Sequence, residues 1–332
     1  MKERIRELDF IRAVCTLGII INHFTISIEN SHLQRLFYTY PSGCGSVGYT
    51  LVTVFFILSG GGLYYNYNSI HSIKTFYSKR WKSIFPSYYI AYIFAICGYA
   101  LFRKSFFEGK KLYQLIYTVI GMDGYISKQV DTWYTIGEWF IGAILICYIA
   151  YPYLLHFIKT SEAAVVAVSM SFFLIFLDWR MLNQNSFRNI FSCLVSFILG
   201  MMFIKYKLYS DKHLRYVSGV LIIIFILFPI NINENLLSHA VGVLLFFALF
   251  EVGVSTMKTR VSGFIYRISA MSYEMFLIHH VIILTVVRIY KPANIVSSVI
   301  LFIVVVLITY LGARFIKEVK NINHLLHSQK SI

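Results

Sequence analysis

The stretch LDFIRAVCTLGIIINHF (8–24) carries two reactive side chains in an otherwise apolar run, the guanidinium of Arg12 and the imidazole of His23. Eleven residues of α-helix turn through about 1100°, three turns plus about 20°, so both side chains share one face, about 16 Å apart along the axis. Asp9, three residues before Arg12, lies on that face and can pair with it. Lipid penalises such groups, and a helix that carries them turns them toward a protein interior or a watery cavity. An imidazole near neutral pH serves as general base or nucleophile. A fixed cation binds an anion or stabilises developing negative charge. The plainer account has Asp9 and Arg12 snorkelling to one interface, with His23 a satisfied polar group near the other.

Further stretches carry groups of the same kind. In MSYEMFLIHH (271–280), Glu274 precedes the adjacent His279 and His280. Neighbouring helical positions point 100° apart, so the two imidazoles are not expected to face one cavity squarely. A metal site needs three or four ligands at fitting positions. His23 with one of this pair supplies two, so no metal is expected. In FYSKRWKSIFPSYY (76–89), Lys79, Arg80 and Lys82 form a compact cationic cluster. Such a cluster suits anionic membrane lipid, the phosphates of a nucleotide-like cofactor, or plain topology. Pro86 is expected in the first turn of the following span, where its missing N–H costs little.

VFFILSGGGLYYN (54–66) holds Ser59 and three glycines. No Walker-type lysine follows, which argues against a phosphate loop, and Ser59 does not sit in a G-x-S-x-G elbow, which argues against a hydrolase nucleophile. The glycines fit close helix packing or a broken helix lining a cavity. In DTWYTIGEWF (131–140), Trp133 and Trp139 read as outer interfacial anchors. Glu138 lies at the same outer level as His23, where a carboxylate orients the imidazole, contacts a hydroxylated substrate, or is simply solvated.

The elements that must position these groups follow from composition. The 332-residue chain is 58% hydrophobic and 14% charged, too apolar for a soluble domain without large exposed patches. Its apolar residues come in blocks of about 20, the length that crosses a bilayer core as helix. Ten blocks stand out: 8–28, 48–66, 84–102, 136–158, 163–178, 187–204, 216–232, 239–256, 270–289 and 294–316. The expected fold is all-α, a polytopic membrane protein of about ten transmembrane helices in one domain, 1–332. No cleavable signal is evident, so the first block reads as a retained span.

The net charge of +15 raises nucleic acid as a partner, but its distribution argues otherwise. With the N-terminus placed in the cytoplasm, 19 of the 30 Lys and Arg fall in inside segments and ten in outside segments, half of these in the loop 103–135. That asymmetry predicts both termini in the cytoplasm and no nucleic-acid partner. The loop 103–135 reads as a short interfacial helix or a cap over an outer groove. The five cysteines show no ligand spacing and read as small hydrophobes.

Taken in order, the motifs resemble the acyltransferase-3 family of ten-span membrane acyltransferases. The resemblance lies in Arg12 and His23 of the first span, FFILSG (55–60), KRWKSIFPSYY (79–89), WFIGAILICYIAYP (139–152) and SYEMFLIH (272–279). The second of these resembles the family's FF-x-x-SG stretch. The third resembles its basic R-x-x-R-I-x-P opening of the third span. Aligned on Pro86, Arg80 takes the first arginine position and Ser83 the second. Lys79 and Lys82 are left to supply the missing charge without the forked geometry of Arg.

The resemblance implies transfer of an acyl group, usually acetyl from cytoplasmic acetyl-CoA, to a hydroxyl of an extracytoplasmic or lipid-linked glycan. It implies a multi-pass enzyme of the plasma membrane. His23, Arg12, Asp9 and Glu138 are then the expected catalytic set. Arg80, Lys79, Lys82, Arg12 and Ser59 would contact acyl-CoA, and Glu138, Trp133 and His279 the acceptor. Some relatives carry an added extracellular domain that takes over the acyl group. None is expected here, which leaves direct delivery, a separate glycan-synthesis partner, or a homo-oligomer. The competing expectations are a polysaccharide export or transport component, and an acyltransferase acting on a small molecule.

Overall fold

The computed structural model describes residues 3–30, 36, 39, 45–103, 111–127, 138–180 and 186–329, with only the backbone at 99–103, 138 and 323–329. Among the described residues there is no strand and there are eleven α-helices. They are α1 (Arg6–Asn30), α2 (Val47–Asn66), α3 (Ile73–Arg103), α4 (Leu115–Val119), α5 (Glu138–Thr160), α6 (Glu162–Ile175), α7 (Ile190–Lys205), α8 (Lys212–Leu227), α9 (Glu234–Thr256), α10 (Ser262–Ile289) and α11 (Ile295–Gln329).

Each of the ten apolar blocks coincides with one of these helices, α4 excepted, so the all-helical expectation holds. Among the described residues, six helices are long and apolar enough to cross a membrane: α1, α2, α5, α9, α10 and α11. The shortfall has physical causes. Helices α6, α7 and α8 have 14, 16 and 16 residues, a rise of about 21–24 Å against a bilayer core of about 30 Å. Helix α3 begins eleven residues before the apolar block it contains and carries Lys74, Lys79, Arg80 and Lys82 in its first turns. Helix α11 presents Ile300, Ile303, Leu307 and Leu311 to the outside, each more than half exposed. Such a stripe suits contact with lipid rather than water.

The chain packs as two compact units. The first comprises 1–22, 38–73 and 143–269, the second 23–37, 74–142 and 270–332. In the first unit, α2 and α7 meet at glycines. A Cβ at Gly60 would overlap the Phe197 carbonyl, and one at Gly200 would overlap the Ile57 carbonyl. Helix α2 runs unbroken from Val47 to Asn66, so the glycines of FFILSGGG do not break the helix, and two of them, Gly60 and Gly61, serve close packing. Glu251, a carboxylate inside the apolar block 239–256, pairs with Arg215 of α8 at 2.6 Å. That ion pair joins α8 to α9 and accounts for a charge within the helix pair.

In the second unit, the segment after α3 is tied back to it by tyrosines. The hydroxyls of Tyr88 and Tyr89 donate to the carbonyls of Thr118 and Val119, at 2.9 and 2.8 Å. Tyr92 donates to Asp123 at 2.6 Å, and the same carboxylate accepts from Thr118 Oγ1 and the Gly124 N–H. Gly121 turns the chain with φ +73°, a conformation glycine adopts without strain. Leu112, Tyr113 and Ile116 stay exposed by 61% or more, as the interfacial reading of this segment requires.

The glycine contacts make a discriminating pair. Gly60→Ala should lose about 1–3 kcal/mol through overpacking against backbone. Gly62→Ala, which meets nothing within 4 Å, should keep or slightly raise stability. Melting of the two purified variants in detergent measures the difference.

Candidate active site

The second unit brings three imidazoles together. His23 of α1 approaches His280 and His279 of α10 with ring centroids 4.0 and 5.2 Å away, and the latter two lie 4.6 Å apart. The sequence-based expectation that adjacent histidines could not share a target is therefore corrected. His23 stands across from both, and an imidazole is long enough for two to converge from positions 100° apart. His279 is buried, and His23 and His280 are half-buried. His279 Nδ1 lies 2.6 Å from the Phe276 carbonyl. A carbonyl only accepts, so Nδ1 donates and the lone pair of the neutral ring sits on Nε2.

Below the histidines, α10 carries a ladder of polar contacts to α3 and α11. Ser87 Oγ donates to Glu274 Oε1 at 2.8 Å, with both residues buried. Tyr273 donates to the Ile84 carbonyl at 3.2 Å. At the foot, Lys320 donates to the Ser83 carbonyl at 3.1 Å and Lys317 to the Ala270 carbonyl at 2.8 Å. Ten residues of α10 separate Ala270 from His280, a rise of about 15 Å.

The foot of the ladder is cationic. Lys79 and Lys82 are exposed on α3, and Arg80 is half-buried beside them. Pro86 lies inside α3, not in its first turn, because the amphipathic run 73–82 is already helical. A proline there leaves the carbonyl four residues back, that of Lys82, without its helical donor. Donors from α10 and α11 meet the next two carbonyls, those of Ser83 and Ile84. Lys320 thus brings a cation to Ser83, the position where the motif's second arginine is absent.

The first unit holds the other polar group of α1. Asp9 is buried and accepts from Arg4 Nε at 2.7 Å, Arg12 Nη1 at 3.3 Å and Ser269 Oγ at 2.8 Å. Arg12 also reaches Ser269 Oγ at 3.3 Å. The expected Asp9–Arg12 pair is present, but the shorter bond is to Arg4, whose pKa that bond raises. Ser59 is a half-buried residue of α2 in this unit. Trp133 and the side chain of Glu138 lie outside the described residues.

A model of the acyltransferase-3 family, described as an acyltransferase domain, matches residues 5–314. The chain belongs to the acyltransferase-3 family. No curated protein and no solved structure gave a match. The match runs through both compact units and identifies a membrane acyltransferase.

In this acyltransferase, sequence reasoning missed a role for His280, Ser269, Lys317, Lys320 and the buried Ser87–Glu274 pair. His280 was legible as half of a histidine doublet. Lys320 had no signal beyond the basic excess at the end of the last block. Asp9→Ala would leave Arg12 and Arg4 without their carboxylate. Because these arginines are partly exposed, the expected loss is about 1–3 kcal/mol, below that of a fully buried pair. Arg4→Ala should lose less, and thermal unfolding of the two variants in one detergent ranks them.

Proposed function

We propose that this protein is a ten-span O-acyltransferase of the plasma membrane. It moves an acyl group, acetyl first among candidates, from cytoplasmic acyl-CoA to a hydroxyl of an extracytoplasmic or lipid-linked glycan, with both termini in the cytoplasm. The observation that carries the proposal is the spacing within the second unit. Lys317, bonded to the Ala270 carbonyl, stands ten residues of α10 from His280, a rise of about 15 Å, a distance suited to an extended pantetheine arm.

In this reading the phosphates of the donor rest on Arg80, Lys79 and Lys82, with Lys320 as a further cation, through charge-assisted hydrogen bonds. The thioester then lies beside His23. The imidazole takes the proton of the acceptor hydroxyl as its oxygen attacks the thioester carbonyl. The tetrahedral intermediate collapses with loss of the carbon–sulfur bond, and the thiolate leaves, picking up the proton as CoA is released. The products are one ester and one free thiol. An acyl-histidine intermediate, followed by attack of the hydroxyl, gives the same balance. His279, with its tautomer set by Phe276, orients His23 and the acceptor. Arg12, held by Asp9 and Ser269, is assigned to the donor arm. Ser59 at the donor and Glu138 and Trp133 at the acceptor complete the assignment by resemblance.

Labelled acetyl-CoA incubated with the purified protein and a glycan acceptor tests the proposal. His23→Ala should lower transfer of label by about 10²-fold or more while donor binding is retained. Normal transfer by that variant removes the base assignment. Arg80→Ala should raise the Kd for acyl-CoA with little effect at saturating donor, and an unchanged Kd removes Arg80 from the phosphate site.

A further inference from the structure

The geometry points to a binding site for a divalent d-block ion of the zinc class, built by His23, His279 and His280. One ring nitrogen from each residue lies within 4.8 Å of the other two. A tetrahedral zinc site with bonds of about 2.0–2.1 Å sets its nitrogens roughly 3.4 Å apart. The three nitrogens reach that spacing if each moves inward by less than about 1 Å, within the range of small side-chain rotations. Three imidazoles favour zinc, copper, nickel or iron over calcium and magnesium, which take oxygen ligands.

Two further features suit ligation. The Nδ1–H of His279 donates to the Phe276 carbonyl at 2.6 Å, which fixes the ring and directs the Nε2 lone pair away from that bond. Ligand histidines are held in this way by a partner at the other nitrogen. The burial is also graded, with His279 buried and His23 and His280 half-buried. That leaves an accessible side and a fourth coordination position for water or another small ligand.

The consequence concerns His23, and this part rests on the acyl-transfer reading. An ion and the acceptor proton compete for the same imidazole. Occupancy therefore blocks the base and inhibits transfer. The ion site itself rests on the geometry of the three rings and stands whether or not the acyl-transfer reading does.

Full-length protein without a polyhistidine tag, stripped with chelator in detergent, would be titrated with Co2+ and read by its visible d–d bands. One ion per chain with tetrahedral bands is expected, displaced by Zn2+. His279→Ala and His280→Ala should each weaken binding at least about tenfold, and each must elute as a monodisperse peak like the parent. His213→Ala, at an exposed histidine of α8, should leave binding unchanged. Absence of stoichiometric Co2+ binding by the parent protein, or undiminished binding by the His279→Ala, His280→Ala double variant, overturns the site. Transfer assayed with and without Zn2+ separates the two claims. Inhibition is expected; acceleration at full occupancy leaves the ion site standing and removes the base role of His23.

Discussion

Every polar group within the helices must find its partner inside the protein, because lipid offers none. That constraint organises the structure more than any single contact. It accounts for Asp9 gathering Arg4, Arg12 and Ser269, for Arg215 meeting Glu251, and for Ser87 meeting Glu274. It also explains why α10 reads as a ladder. Along it Ser269, Tyr273, Glu274 and His279 each meet a polar group on another helix or on their own backbone. A charge in an apolar block is thus a prediction that some other block carries its complement, and the complement is often far away in sequence.

This explains which features were legible in the sequence. The shared face of Arg12 and His23, the pairing of Asp9 with Arg12, and the ten helical blocks follow from local periodicity and spacing. Local spacing also marked Lys79, Arg80 and Lys82 as a cluster. The helix starts were less legible. Helix α3 begins early because its amphipathic first turns lie outside the apolar window used to recognise a span, and that moved Pro86 from a helix start to a helix interior. The convergence of His279 and His280 on His23 was illegible for a different reason. It depends on where α1 crosses α10, and no residue within either helix encodes the crossing by itself.

The comparison between Asp9 and the histidines shows two uses of buried polarity. Asp9 is saturated by donors and stands where a structural node is needed. The histidines are close, mutually oriented and partly accessible, so their chemistry is available to something that enters. Sequence alone gives both the same appearance, a polar residue in an apolar helix, and only the arrangement around each separates a group saturated by donors from a cluster of partly accessible rings.

The tyrosines of α3 have a mechanical consequence. Three hydroxyls, those of Tyr88, Tyr89 and Tyr92, fasten the segment around Thr118–Asp123 to one helix face. Lifting that segment away would break all three bonds together, so it behaves as a stiff extension of α3 and not as an independent flap. Any widening beneath it must come from bending or tilting of α3 itself, and the proline-weakened turn below the tyrosines is the natural place for that bend.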